Sequence, residues 1–333
     1  MKIISLILLI SIFIISCENK TENENINSIF DSHVEHSLIS RGDNFPNFNQ
    51  YKDSIDLFLV SLHKGISSES FKNKVNWSDS ILNEKIKLLL DKNWIHKKNK
   101  SLYPTVFIAS HKEGLELFKF STKVSEEIAN SIEQEISKIK SEYLKTGISK
   151  KIPFEQMAFL ILSNVLLDSW QIDNVETKFL KKKQRPLRNG KNYYYSIMEN
   201  ENTNKDVFGI YGNIMDSNDT ISYNIYGNRQ TSVDFKKFDE LIKTCDIVIS
   251  KEDYEIFSDM ANQYFPKLLT ILENNQTYFE KVYTKMNYDK EITFDEFFIW
   301  WYHFIYTKTT NILSERELLT IPENGNFEYL STK

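Results

Sequence analysis

Cysteine is almost missing from this chain: Cys17 and Cys245 are the only two in 333 residues. They stand in such different settings that no disulfide framework can be drawn from them. Glycine and proline are scarce as well, with nine and six, which excludes collagen-like and glycine-linker architectures. Arginine is nearly absent among the basic residues, at Arg41, Arg185, Arg188, Arg229 and Arg316. The formal net charge is −5, and a mildly acidic balance argues against general binding of polyanions. No GxSxG, HExxH, P-loop or GxGxxG pattern occurs. No cofactor is implied, and no serine or cysteine nucleophile comes with a telling histidine.

What is present is hydrophobic and aromatic content enough for a buried core, at 41% and 14%. About 300 residues of such composition predict two domains. The first apolar run, Ile3–Ile15, follows Met1-Lys2 and is interrupted only by Ser5 and Ser11. Thirteen residues fall short of the roughly 20 that span a bilayer, and a charged start, short apolar core and small residue match a secretory signal. The stretch Ile14-Ile15-Ser16-Cys17 resembles the lipobox of bacterial lipoproteins. That resemblance implies cleavage after residue 16, acylation of Cys17, and an extracytoplasmic protein held to a membrane by lipid. Residues 18–29, ENKTENENINSI, are polar and of low complexity, so 17–45 is expected to be a flexible tether. Its acidic start is similar to the export signal of surface lipoproteins in Bacteroidetes-like bacteria, which implies the outer membrane and surface exposure.

Apolar spacing predicts a helix from about Asp53, a second between Ser67 and Trp77, and a third capped by Ser78 or Asp79. A hairpin turning at Lys98-Asn99-Lys100 follows within residues 94–110. Three short helices and a hairpin resemble a winged-helix domain over residues 50–112, within a module placed at 46–120. Charged helices are expected at Glu113–Phe120 and Lys123–Lys145, and a second domain over 121–333. Residues 154–170, FEQMAFLILSNVLLDSW, are apolar nearly all round and predict a buried helix. Strand-like runs at Tyr193–Met198, Val207–Tyr211 and Thr220–Tyr226 predict a small antiparallel sheet near 192–230. Ile-Tyr-Gly-Asn occurs at 210–213 and again at 225–228, suggesting paired strands. Pro266 is expected to break or kink a helix begun near Ser250, and Thr293 with Glu296 forms a capping box before a last helix. The fold class is thus α+β, mostly helical, with a winged-helix-like amino-terminal module.

Several clusters invite chemistry. Winged helices usually meet DNA through the third helix, and residues 53–112 carry ten lysines against six acids. Ser78–Asn93 is neutral, however, and the module has no arginine for guanine, which disfavours nucleic acid. Asp31, His33, Glu35 and His36 lie within six residues, but no second cluster completes a metal set. Arg41-Gly42-Asp43 matches an integrin tripeptide at near-chance length. Asp168, Asp173 and Glu176 are the candidate carboxylates for a hydrolase or glycan-processing enzyme, with Asp173 and Glu176 one helical turn apart on a shared face. KKKQRPLRNGK, residues 181–191, packs six positive charges into eleven positions. Lys181, Lys182, Lys183, Arg185, Arg188 and Lys191 are the candidate anion-binding residues, with Tyr193 and Tyr195 flanking the ligand and Tyr194 turned to the core. An anionic polymer or acidic protein is the partner this predicts. The leading expectation is a non-enzymatic binding protein; a transcription regulator follows only if the signal is misread.

Overall fold

A computed structural model describes residues 26–200, 210–228 and 233–333. The expected leader, Cys17, the first part of the expected tether and part of the strand expected at 207–211 lie outside the described residues. Helix makes up 56% and strand 17% of the described residues, so the chain is α+β and mostly helical. Among the described residues no helix is long and apolar enough to cross a membrane.

Two compact units divide the chain discontinuously, where a single boundary near 120 was expected. One comprises Met1–Lys112, Gln184–Asn204 and Asn287–Glu296, and the other Glu113–Lys183, Lys205–Met286 and Phe297–Lys333. The first unit opens with a helical turn at 26–31, α1, and strand β1, His33–Ile39. Residues 26–39 are therefore not part of the flexible tether expected at 17–45: Ile26 and Ile29 are buried, and β1 pairs antiparallel with a strand some 160 residues away in sequence. Local composition could not reveal that partner. Next come α2 (Ile55–His63), α3 (Ser68–Lys74) and α4 (Asp79–Asp91). Ser67 Oγ accepts from the Ser70 N–H and Ser78 Oγ from the Ile81 N–H, satisfying helix-end donors. The hairpin β2 (Ile95–Lys98) and β3 (Ser101–Pro104) turns at Asn99 and Lys100, both at positive φ. β4 (Phe107–Ala109) then runs parallel to β7 (Tyr194–Asn200), after the small ribbon β5 (Leu187–Arg188) and β6 (Lys191–Asn192). The sheet order is β1-β7-β4. A central strand has neighbours on both sides, and the core of this unit gathers Phe58, Leu59, Phe71, Leu89, Trp94, Tyr195 and Ile197.

In the second unit the two charged helices expected after Glu113 are one, α5 (His111–Tyr143). Ser121 and Thr122 do not interrupt it, because their hydroxyls donate back to Leu117 O and Lys119 O (2.8 Å each). α6 (Phe154–Phe159) continues through a wider π-helical turn, Leu160–Val165. As expected from its sequence the segment is buried on all sides from Met157 to Asp168, while Glu155 and Gln156 in the first turn of α6 are exposed. α7 (Ile172–Asn174) passes into a second π turn, Val175–Phe179. β8 (Gly212–Ser217) and β9 (Ile221–Gly227) pair antiparallel, with Gly212 opposite Gly227, so the two Ile-Tyr-Gly-Asn copies do meet. They belong to a different sheet from β7, so the expected single sheet near 192–230 is two. α8 (Phe238–Thr244), β10 (Val248–Ile249), α9 (Lys251–Asn274), α10 (Gln276–Lys285), α11 (Phe294–Glu315) and β11 (Asn326–Thr332) complete the chain, and the second sheet runs β10-β11-β9-β8. Pro266 lies inside α9, which continues past it to Asn274. From Phe297 on, α11 is mostly buried, and its polar groups are satisfied within the unit: the Trp301 indole donates to Leu117 O (3.0 Å) and Tyr302 to Leu167 O (2.7 Å).

Candidate functional site

The cation-rich loop does not form the site expected of it. Arg188 is 3% exposed and all of its nitrogens are engaged. Nε donates to Tyr193 O (3.4 Å), Nη1 to Asn93 O (2.7 Å) and Thr105 Oγ1 (3.0 Å), and Nη2 to Thr105 O (2.7 Å) and Glu296 (2.9 Å). Glu296 therefore neutralises the charge that a ligand was expected to meet, and the capping box is half made: the Glu296 N–H reaches Thr293 Oγ1, but its carboxylate faces Arg188. Burial pushes the Glu296 carboxyl up to about 7 against the opposing pull of Arg188. Tyr193, Tyr194 and Tyr195 are all buried, so neither Tyr193 nor Tyr195 flanks a ligand. Tyr193 accepts from the Trp94 indole (2.8 Å), and both it, just before β7, and Tyr195 within β7 pack into the core of the unit. Tyr193 and Tyr195 do share one face, with Tyr194 buried on the other, but the shared face is packed into the core and has no solvent side. Lys191 pairs with Asp43 of the Arg-Gly-Asp stretch (2.8 Å), holding that carboxyl below its usual range. Arg185 is partly buried, and Lys181, Lys182 and Lys183 are exposed and belong to the other unit.

The candidate carboxylates do not converge either. Asp173 is exposed and Glu176 is 6% exposed, so they share no face; the π turn from Val175 changes the phase on which the α-helical spacing relied. Asp168 is 4% exposed. Burial, reinforced by the charge of Asp168, holds the phenols of Tyr226, Tyr302 and Tyr306 well above their usual range. Asp31, His33, Glu35 and His36 are drawn into or beside β1, and His36 lies between Tyr195 Oη (2.9 Å) and Asp56 (3.3 Å). Among the described residues no group of three His, Cys, Asp or Glu could hold a metal ion.

A better site stands where α6 ends, within the second unit. The carbonyl of Asp168 accepts from the N–H groups of Gln171 (2.7 Å) and Ile172 (2.8 Å), closing a tight turn, and Asn164 Oδ1 accepts from the Ser169 N–H (3.1 Å). Gln171 Nε2 donates to Ala261 O (2.6 Å), tying the turn to α9. Trp170 is thereby set beside Tyr254 and Phe257 of α9, with ring centroids at 5.0 and 6.3 Å. Strand alternation supplies the opposite wall. With Asn224 opposite both Tyr329 and Met215, and Ser222 opposite Ser331, one face of the sheet carries Asn213, Met215, Ser222, Asn224, Tyr329 and Ser331. The other face is apolar, with Ile225, Tyr223 and Leu330 packed by Phe235, Phe238 and Leu241.

Between this polar face and the Trp170–Tyr254 pair lies a cavity of about 300 Å³, with Lys251 and Lys333 also in its lining. Its volume falls at the lower end of small-molecule sites, roughly 300–1,000 Å³. The floor is fixed by internal bonds: Tyr329 donates to Asn213 Oδ1 (3.4 Å), and Asn224 Nδ2 to Ser222 O (3.2 Å) and Ser331 Oγ (3.1 Å). Burial raises the Tyr329 phenol, and Asp168 adds to the rise. The cavity is lined by amides, hydroxyls, the thioether of Met215, three aromatics (Trp170, Tyr254 and Tyr329) and two ammonium groups, with no carboxylate, histidine or cysteine side chain among its lining residues. Such a lining can hold a polar ligand, and it brings no two carboxylate side chains together. Sequence reading reached Trp170 only as the last residue of the apolar segment 154–170 and missed the rest. The one available signal was the alternation of Ser222 and Asn224 in Ile221–Gly227, where Tyr223 and Tyr226 fall on opposite faces and hide which side packs.

Compared with known proteins, the chain matches no family model, no curated protein and no solved structure.

Proposed function

We propose that this is a lipid-anchored extracytoplasmic binding protein, held to the membrane through Cys17, which takes a small polar ligand in the second-unit cavity and does not turn it over. The observation that carries the reading is the lining itself: aromatic, amide and hydroxyl groups around about 300 Å³, without a carboxylate, histidine or cysteine. A glycosidase needs two carboxylates roughly 5 to 9.5 Å apart astride the bond. The exposure of Asp173 and the burial of Asp168 and Glu176 speak against that alternative. The winged-helix likeness of residues 50–112 is taken as a packing or protein-contact module. In support, the exposed side of α4 offers Lys87 against Asp79, Glu84 and Asp91, while Lys85 is buried against Asp53 (2.7 Å). That charge pattern is the wrong sign for a phosphate backbone.

Two measurements test the proposal. Labelling with a radioactive fatty acid tags the protein and leaves Cys17→Ser untagged; a tag that survives in the variant removes the anchor. Incubation of the purified chain with cell-envelope glycan fragments yields bound ligand without product. Product formation abolished by Asp168→Asn would restore the hydrolase.

A further inference from the structure

We infer that the second-unit cavity takes a sugar ring bearing a carboxylate, an inference that rests on this cavity being the ligand site. Three features of the lining point to that chemistry. Trp170 and Tyr254 present neighbouring aromatic rings, whose electron-rich faces suit the C–H face of a saccharide. Facing them, Asn213, Asn224, Ser222 and Ser331 supply both donors and acceptors, the mixture that a ring with several hydroxyls requires. The charge is sorted by the strands. Asp216 lies on the sheet face away from the cavity, and so does Glu328, which bonds to Tyr223. On α9, Asp253 is turned to the N–H groups of Gly147 (2.5 Å) and Ile148 (3.1 Å), and Glu252 is exposed outside the lining. Asp168 is buried and does not line the cavity.

The two lysines stay on the cavity side. Lys333 Nζ donates to the neutral acceptors Ser217 Oγ and Asn218 O. Among the described residues neither Lys251 nor Lys333 is paired with a carboxylate, so a positive field meets whatever enters. Lys251 also opens α9, whose 24 residues place the positive helix end at the same wall. An ammonium next to amides and aromatics selects a carboxylate on a hydroxyl-rich ring over the neutral sugar.

The test is a titration of the full chain, in detergent, with galacturonate, a galacturonate oligomer, galactose and inorganic phosphate, followed by tryptophan fluorescence and calorimetry. Trp94, Trp300 and Trp301 are buried in the core, so a ligand-dependent change in emission that Trp170→Phe alters reports the cavity. The acidic sugars bind at least about tenfold more tightly than galactose. The preference shrinks at high salt, falls towards unity in Lys251→Met and persists in Lys251→Arg. The oligomer binding more tightly than the monomer identifies a polymer as the source; equal binding identifies the free acid. Equal affinity for acidic and neutral sugars overturns the carboxylate inference and leaves the cavity as the ligand site. Binding that survives Trp170→Ala puts the ligand elsewhere and overturns the reading beneath it. Phosphate binding without sugar binding overturns the inference as well.

Discussion

The Arg188 loop and the Lys251 cavity are both places where positive charge collects, and they differ in what answers it. At Arg188 the answer is internal: five hydrogen bonds, one of them to Glu296, with both side chains 2% exposed. At the cavity the ammonium groups meet neutral amides, hydroxyls and open space. A count of charges along the chain ranks the first above the second. Burial reverses the order, because a desolvated guanidinium must find its partners within the protein or the fold is lost. Density of charge marks a ligand site only where no carboxylate of the same unit has already met it.

The largest effect that can break this contrast is expected at Glu296. At pH 8, where its carboxylate is ionised, Glu296→Ala strands a buried guanidinium and costs about 3–5 kcal/mol in chemical denaturation. A loss below about 1 kcal/mol would mean that Arg188 reaches water, and the loop would again be open to anions. Second in size is Gly227→Ala. Gly227 has φ +154, and a Cβ there would come within 1.9 Å of the Gly325 carbonyl oxygen. Strain of about 1–3 kcal/mol is expected, and with it displacement of β9 from β11 and loss of ligand binding. Binding unaffected by that change would detach the cavity from the sheet.

A smaller effect follows from pH. Unfolded, Glu296 ionises near 4.5; folded, it ionises near 7 because burial opposes its charge. Between those values the folded state holds the extra proton, so this group makes stability greatest below pH 4.5 and lowers it as pH rises towards 7. The slope is at most about 1.4 kcal/mol per pH unit, and Glu296→Gln removes it. A slope that survives the substitution assigns the titration to another group. The smallest effect is expected at Lys181, Lys182 and Lys183, which are exposed. Replacing all three with glutamine leaves the melting temperature where it was. A fall of several degrees would show that these cations, like Arg188, belong to the fold.

Much of the local structure was readable from sequence. Ser67, Ser78 and Ser250 mark helix starts because a hydroxyl at that position satisfies a donor within its own turn. The nearly all-round apolar character of residues 154–170 announced the burial of Met157–Asp168, and the paired Ile-Tyr-Gly-Asn copies announced β8 and β9. Breaks were less readable. Ser121-Thr122 and Pro266 look like helix ends, yet packing of the apolar residues along α5 and α9 carries both helices through.

The sequence alone determined the class, α+β and mostly helical, and the polar–apolar alternation of the strands, because both rest on contacts among residues close along the chain. Only the tertiary structure decided which alternating face would be covered, that β1 joins Tyr194–Asn200, that Glu296 answers Arg188, and that Trp170, Asn224 and Lys251 share one cavity. Those groups lie between 27 and 167 residues apart in sequence. Their meeting depends on long-range packing and desolvation, to which no local pattern of residues is bound.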